Sequence, residues 1–307
     1  MRLLLLVTIV LATAVPAAAQ PATAAKPSSA GLAQVLAPGA RVEKVAGDFA
    51  FTEGPVWHRD GYLLFTDIPR SRIMKWHPTE GVSIFREPSQ QANGLIFDRQ
   101  GRLVAAEHAA RRVSRTEANG AITSVADRHD GKRLNSPNDL VEARDGALYF
   151  TDPPYGLPQQ KEGRELEVNG VYRLAPDGTL TLVADDFERP NGLAFSPDGT
   201  TLYVADTAKQ HVRAFDVQAN GTLANGRVFG TMTPWPGAQG GPDGMKVDAE
   251  GRVFVTGAGG VWVFEANGAI LGVIETPEVP ANCAFGDADG KALYITARTG
   301  LYRVRIR

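Results

Sequence analysis

What most constrains this chain is one stretch of sequence repeated six times. Its clearest copy is RPNGLAFSPDGTTLYVAD, from Arg189 to Asp206. It reads as an oxygen-bearing residue before Gly, a short apolar strand, a tight Pro-Asp-Gly turn and a strand running back: a β-hairpin with an Asn at its mouth. The other copies open at Glu53, Asn93, Asn138, Asp243 and Asn282, so successive openings lie 40, 45, 53, 52 and 39 residues apart. A period of roughly 40 to 50 residues built from short strands marks a propeller whose repeats are four-stranded blades. The fold class expected is therefore all-β, a six-bladed β-propeller. Segments between copies, such as RRVSRTEANGAITSVAD and GVYRLAPDGTLTLVADD, supply the remaining strands around further Asn-Gly and Asp-Gly turns.

Counting strands also predicts how the ring closes. After the sixth hairpin only GLYRVRIR remains, one strand where two are needed. Upstream of the first copy, Arg41 to Ala50 alternates in polarity and belongs to no complete blade. An N-terminal strand completing the last blade joins the two ends and removes a sheet edge.

Ahead of that strand, Arg2, an apolar run from Leu3 to Val15 and the triplet Ala17-Ala18-Ala19 read as a secretory signal over residues 1–19. The run is interrupted by Pro16 and is shorter than the ~20 residues a membrane anchor needs. Residues 20–38, rich in Ala, Pro and Ser, read as a flexible linker, and 39–307 as the propeller domain. The expected location is periplasmic or secreted. A net charge of −2 with no basic cluster argues against nucleic acid and anionic membranes as partners. The single cysteine, Cys283, allows no intramolecular disulfide, and its apolar neighbours favour a buried structural thiol. Monomer and dimer both stay open.

Loop lengths distinguish the two faces of the ring. Turns inside the six hairpins are short, whereas the connection over residues 153–170 and the lead-ins ADRHDGKRLNSP and GTMTPWPGAQGGP are long. These long loops share the face on which each hairpin opens, the usual setting for a binding site. The opening column itself (Glu53, Asn93, Asn138, Asn191, Asp243, Asn282) carries a side-chain oxygen at every position. Converging on the axis, such oxygens suit Ca²⁺ better than Zn²⁺, which prefers His and Cys. A repeated Asx-turn would produce the same column with no ion. Against that reading, Glu53 is a poor turn former, and the oxygen persists at Asn138 and Asn282, where no Gly follows.

The phrases EGPVW, LNSPNDLV with YFTDPPYGL, RPNGLAFSPDG and GPDGMKVD resemble the gluconolactonase, regucalcin and luciferin-regenerating enzyme family over nearly all of residues 45–307. The resemblance implies a six-bladed propeller that hydrolyses small lactones with one divalent cation in its channel. It implies Glu53, Asn191 and Asp243 as metal ligands, Asn138 as a contact to metal or substrate, and Asp243 also as the proton-transfer residue. The cation expected is Ca²⁺, with Zn²⁺, Mg²⁺ or Mn²⁺ as the other candidates. A cation polarising the lactone carbonyl requires no protein nucleophile, in keeping with the lack of a G-x-S-x-G motif. The five histidines are dispersed and argue against a His-based triad or zinc site.

One departure stands out. Sugar lactonases of the regucalcin type carry an Arg two residues before the Asn matched by Asn138, and here that position is Ser136. Lys132, Arg133 or the loop bearing Tyr155 could replace the contact to sugar hydroxyls, which makes Tyr155 a substrate-binding candidate. Asn93 and Asn282 receive no family role, and Trp235 either covers the mouth or packs a loop. A different class also fits the repeat: a propeller without catalysis, or one like strictosidine synthase, binding a small ligand or partner.

Overall fold

The structure is a computed structural model that describes residues 24–307. The signal segment and residues 20–23 lie outside the described residues. Each copy of the repeat opens one blade, and six antiparallel four-stranded sheets result. We number the blades I to VI from the copies opening at Glu53, Asn93, Asn138, Asn191, Asp243 and Asn282. Blade I runs Thr52–His58, Tyr62–Asp67, Arg72–His77 and Gly81–Arg86 from the axis outward, and blades II to V repeat that meander.

Blade VI has three strands from the C-terminal end, Pro280–Gly286, Ala292–Ala297 and Gly300–Arg305. Its fourth is Glu43–Ala46. Glu43 pairs with Arg303, Lys44 with Tyr302 and Ala46 with Leu301, so the ring closes by the N-terminal strand as strand counting requires. The segment read as a linker is docked for much of its length. Residues Ala30–Gln34 form a 3-10 turn, Leu32 and Val35 are buried against blades V and VI, and Leu36 bridges to Ile306. Two apolar residues in an Ala- and Pro-rich stretch have no periodicity, which is why composition alone missed them.

Inside each hairpin the turn glycine (Gly61, Gly101, Gly146, Gly199, Gly251, Gly290) donates to the carbonyl three residues back, with φ between 66° and 88°. That left-handed conformation is natural to Gly and matches the twist of the paired strands. The glycines after the opening residues have a different purpose. They sit where the opening backbone of the next blade crosses the axis. A Cβ on Gly192 would lie 2.3 Å from the Asp243 carbonyl oxygen, and one on Gly244 would lie 1.9 Å from Asn282 Cγ. The Asn-Gly and Asp-Gly pairs therefore mark close approach between blades and are not turns.

At those same positions the strands leave their ladders. The pairing register shifts between Glu53 and Val56, between Ala92 and Leu95, between Pro190 and Leu193, and between Pro280 and Asn282. Bulges of this kind re-aim side chains, here toward the axis. Buried threonines stitch the irregular backbone: Thr66 Oγ1 donates to the Asn93 carbonyl, and Thr256 Oγ1 to that of Ala281. The acids closing three second strands clamp the lead-in of their own blade. Asp67 accepts from the Ala50 and Phe51 amides, Asp152 from Asn135, and Asp206 from Glu188 and Arg189.

Because the Gly244 site has no spare room, Gly244→Ala is expected to destabilise the fold by about 1–3 kcal/mol or more, the cost of overpacking. Denaturant unfolding checks this. An unchanged midpoint would mean that Asn282 yields freely.

Candidate active site

The blade openings, bulged at Glu53, Asn93 and Asn191 and irregular ahead of the first strand at Asn138 and Asp243, bring these five residues to the wall of one cavity of about 340 Å³ at the axis. The long loop of blade III brings Tyr155 to the same cavity, and Phe51 and Ile68 supply an apolar side. All five residues expected to bind metal or substrate (Glu53, Asn138, Tyr155, Asn191, Asp243) thus share this wall. Asn282 does not line the cavity. Its Nδ2 lies beneath, bridging Glu53 Oε2 at 2.9 Å and Asp139 Oδ2 at 3.2 Å.

Three carboxyl groups converge here. Burial, and next the charge of Asp139, push the Glu53 carboxyl up to about 7. Burial raises Asp139 too, against the opposing charge of Lys246. Asp243 is raised well above the usual carboxylate range, first by burial and then by Glu53 and Asp139. Three acids desolvated together cannot all ionise without a compensating cation, so the bare cluster retains protons near neutrality.

The opposite arc is an amide relay. Asn93 Nδ2 donates to Asn138 Oδ1 at 2.6 Å, Asn138 Nδ2 to Asn191 Oδ1 at 2.6 Å, and Asn191 Nδ2 to Thr207 Oγ1 at 3.0 Å. His108 Nε2 stands 3.3 Å from both Asn93 Nδ2 and Asn138 Oδ1. Burial holds that imidazole down to about 4, so it is neutral at pH 7.

His108 and Thr207 also line the cavity and lie outside the opening column. A second column existed: the residue after the acid that ends each second strand. It is Ile68, His108, Pro153 and Thr207 in blades I to IV, and three of these four line the cavity. Asn93, left without a role from sequence, is part of the wall and of the relay.

The other candidates fall away from the site. Arg133 donates to the Ala110 carbonyl, and its backbone is held by Glu165. Trp235 packs on Trp262 with ring centroids 5.9 Å apart, which makes it a loop anchor. Asp152, the acid that ends the second strand of blade III, is fully buried as a lead-in clamp. The Cys283 thiol is buried between blades V and VI and pushed up to about 12 by that burial, as a structural thiol should be.

Ser136 acts as an anchor. Its hydroxyl donates to the Pro153 carbonyl at 2.6 Å and accepts from the Gly156 amide at 2.9 Å, so it grips the loop on both sides of Tyr155. The ring of Tyr155 carries the Arg189 guanidinium 5.5 Å above it. Its hydroxyl is buried close to Thr207 and Asn191, yet meets no partner of normal hydrogen-bond length and angle among the described residues. A buried phenol left unpaired at a cavity wall is free to bond a substrate oxygen. Tyr155→Phe is therefore expected to leave the melting temperature equal or slightly raised. For a hydroxylated substrate it should cost roughly tenfold in kcat/KM, the worth of one hydrogen bond. An unchanged kcat/KM across substrates would remove Tyr155 from substrate binding.

A propeller with an oxygen-lined axial pocket, carboxylates on one arc and oriented amides on the other, defines an enzyme that acts on a small polar molecule. Residues 51–299 match the family described as SMP-30/Gluconolactonase/LRE-like region, and the chain belongs to that family. It is a lactone hydrolase. It is similar to the gluconolactonase of Zymomonas mobilis, with 38% identity covering 87% of this chain and 81% of that protein. The pentonolactonase of Haloferax volcanii is 28% identical over 81% of each chain. Among solved structures, a gluconolactonase from Xanthomonas campestris superposes with a TM-score of 0.84 at 38% identity, covering 94% of this chain and 99% of that one.

Proposed function

We propose that this protein is an exported, metal-dependent lactonase that opens a sugar lactone or another small lactone, in the manner of a gluconolactonase. One observation carries the reading: two mutually repelling buried carboxyls, Glu53 and Asp243, meet the Asn191 carboxamide at the floor of a cavity of substrate size. The donors are all hard oxygens with two carboxylates, a set that fits Ca²⁺ foremost and Mg²⁺, Mn²⁺ or Zn²⁺ less well. The fit is also electrostatic, since a divalent ion there would offset the burial that raises all three acids and the repulsion that adds to it at Glu53 and Asp243.

Glu53, Asn191 and Asp243 would hold the ion. Once bound, it supplies Lewis-acid polarisation of the lactone carbonyl. Asp243 takes a proton from the attacking water as the water oxygen bonds to the carbonyl carbon. It returns that proton to the ring oxygen when the C–O bond breaks, leaving a hydroxy acid. Tyr155 and Asn138 orient the substrate, and neutral His108 adds a polar but uncharged wall. Phe51 and Ile68 keep water from one side.

Hydrolysis of a panel of aldono- and aliphatic lactones by chelator-treated protein, with each of the four ions restored in turn, tests this reading. Turnover of a small lactone that returns with an ion supports it. Ligand binding with no turnover of any lactone would favour the non-catalytic alternative. Export is supported by the n-region, apolar run and Ala-x-Ala site over residues 1–19. N-terminal sequencing of the periplasmic or medium fraction checks it, with mature protein expected to begin at Gln20.

The raised acids carry a pH signature. An acid raised by folding stabilises the fold below its unfolded value and loses that contribution as pH rises through its folded value, here about 7 for Glu53. The depressed His108 works the other way, but its contribution is complete above its ordinary value of 6.5. Dialysed protein is therefore expected to melt lower at pH 8 than at pH 6.5. Protons compete with the ion for the same oxygens, so added Ca²⁺ should raise the melting temperature more at pH 8. An equal Ca²⁺ effect at both pH values would contradict binding at these acids.

A further inference from the structure

We propose that Thr207 is a positioning residue whose hydroxyl sets the direction of the amide relay, and so fixes that Asn191 turns its Nδ2 to Thr207 and its Oδ1 to Asn138. The consequence for metal binding rests on the function proposed above. The cause rests only on hydrogen-bond direction. Thr207 Oγ1 stands 2.6 Å from the Pro242 carbonyl oxygen. A carbonyl can only accept, so the single hydroxyl proton is committed there. Toward its other neighbour the Thr207 oxygen can then only accept. That neighbour, at 3.0 Å, must be the amide nitrogen of Asn191 and not its oxygen.

The constraint passes along the chain. With Nδ2 committed to Thr207, Asn191 Oδ1 points the opposite way and accepts from Asn138 Nδ2. Asn138 Oδ1 is then the atom left to accept from Asn93 Nδ2. Turning over one carboxamide alone would set nitrogen against nitrogen or oxygen against oxygen in a buried place, where each unpaired polar group costs about 1–3 kcal/mol. Only reversal of the entire relay avoids this, and the Thr207–Pro242 bond forbids it. Asn191 Oδ1 retains a second lone pair, which is the one available to a cation.

The same hydroxyl joins two blades. Pro242 immediately precedes Asp243, so Thr207 links the blade IV residue Asn191 to the blade V backbone that carries Asp243. No other occupant of this column could do so: Ile68 and Pro153 have no side-chain donor, and His108 instead approaches Asn93 and Asn138. Substituting the hydroxyl by a methyl group removes the only fixed end of the relay. The Asn191 carboxamide is then free to turn over, which would put NH₂ in the place of Oδ1 and remove the lone pair a cation would take.

The test uses the full chain as parent, Thr207→Val, which keeps the shape without the hydroxyl, and Thr207→Ser, which keeps the hydroxyl. Thr207→Ala replaces the valine variant should the second methyl disturb packing. Proteins labelled with ¹⁵N-asparagine are first compared without metal. The Asn191 carboxamide signal is assigned by its loss in Asn191→Asp. It is expected to be slowly exchanging in parent and Thr207→Ser, and shifted or fast-exchanging in Thr207→Val. Identical signals in all three would overturn the inference whether or not metal binds.

Calorimetric titration with Ca²⁺ follows. Loss of an orienting partner behind a ligand typically costs 10- to 100-fold in affinity, and that loss is expected for Thr207→Val, with Thr207→Ser within about threefold of parent. Equal Kd values for parent and Thr207→Val would also overturn the positioning role. A parent that binds none of the four ions overturns the metal reading instead, and the carboxamide signals then decide on Thr207 alone.

Discussion

Replacing Asp243 by Asn is expected to lower kcat by about 10²- to 10⁴-fold while leaving the fold intact, the range a positioned proton acceptor contributes. Asparagine keeps an oxygen for a cation but cannot take a proton from water. The loss should therefore fall mainly on kcat, with KM changed little. Asp243 is placed for the part: it lines the cavity beside Glu53 and Asn191, where a bound cation would keep its carboxylate ionised and able to accept a proton. Asp198→Asn, in the exposed hairpin turn of blade IV, is the control and should retain parental kcat. Asn93 cannot serve as a control, since it donates to Asn138 and lines the cavity. Near-parental turnover in Asp243→Asn with cation present would leave Asp243 as a ligand only.

Glu53→Gln should separate stability from activity. Removing one of three mutually repelling buried acids takes away a cost that the bare protein bears above pH 7, so the dialysed variant is expected to melt higher than the dialysed parent at pH 8. It should also gain little from added Ca²⁺, because one of two charged ligands is gone, and lose at least about 10²-fold in turnover through the weakened site. Stabilisation joined to loss of function is the signature of a site kept strained for its chemistry. A variant that melts lower without Ca²⁺, yet responds to Ca²⁺ as the parent does, would show Glu53 to be structural. Partial rescue of turnover at millimolar Ca²⁺ would separate weakened binding from a lost catalytic step.

Much of the fold was legible because hairpins are local. Each Asp-Gly, Gln-Gly or Glu-Gly turn flanked by apolar alternation specifies its two strands without help from distant residues, and six such units at one period leave little choice of architecture. The strand deficit after Ile306 pointed to the N-terminal strand for the same reason. Long-range contacts left weaker traces. Leu32 and Val35 dock through single side chains, below any periodicity. The glycines after the opening residues looked like turn glycines, since close approach between blades selects the same residue as a tight turn does.

The site was legible through its repeating column and obscure wherever a blade departed from the repeat. Glu53, Asn138, Asn191 and Asp243 could be named because they recur. The bulges that aim Glu53 and Asn191 inward could not, because a register shift leaves no mark in one strand read alone. His108 was set aside as one dispersed histidine, although its place after Glu107 matches that of Thr207 after Asp206. Ser136 looked like a missing substrate contact. Its geometry makes it the anchor that sets Tyr155 in the cavity.

Support of lactone hydrolysis by one cation held at Glu53, Asn191 and Asp243 is tested most directly by turnover of a small lactone by dialysed protein as Ca²⁺ is added back, with bound ion counted by mass spectrometry of the desalted sample. Turnover is expected to be near background without ion, to rise in proportion to occupancy and to level off at one ion per chain. Full turnover with no ion bound would contradict it.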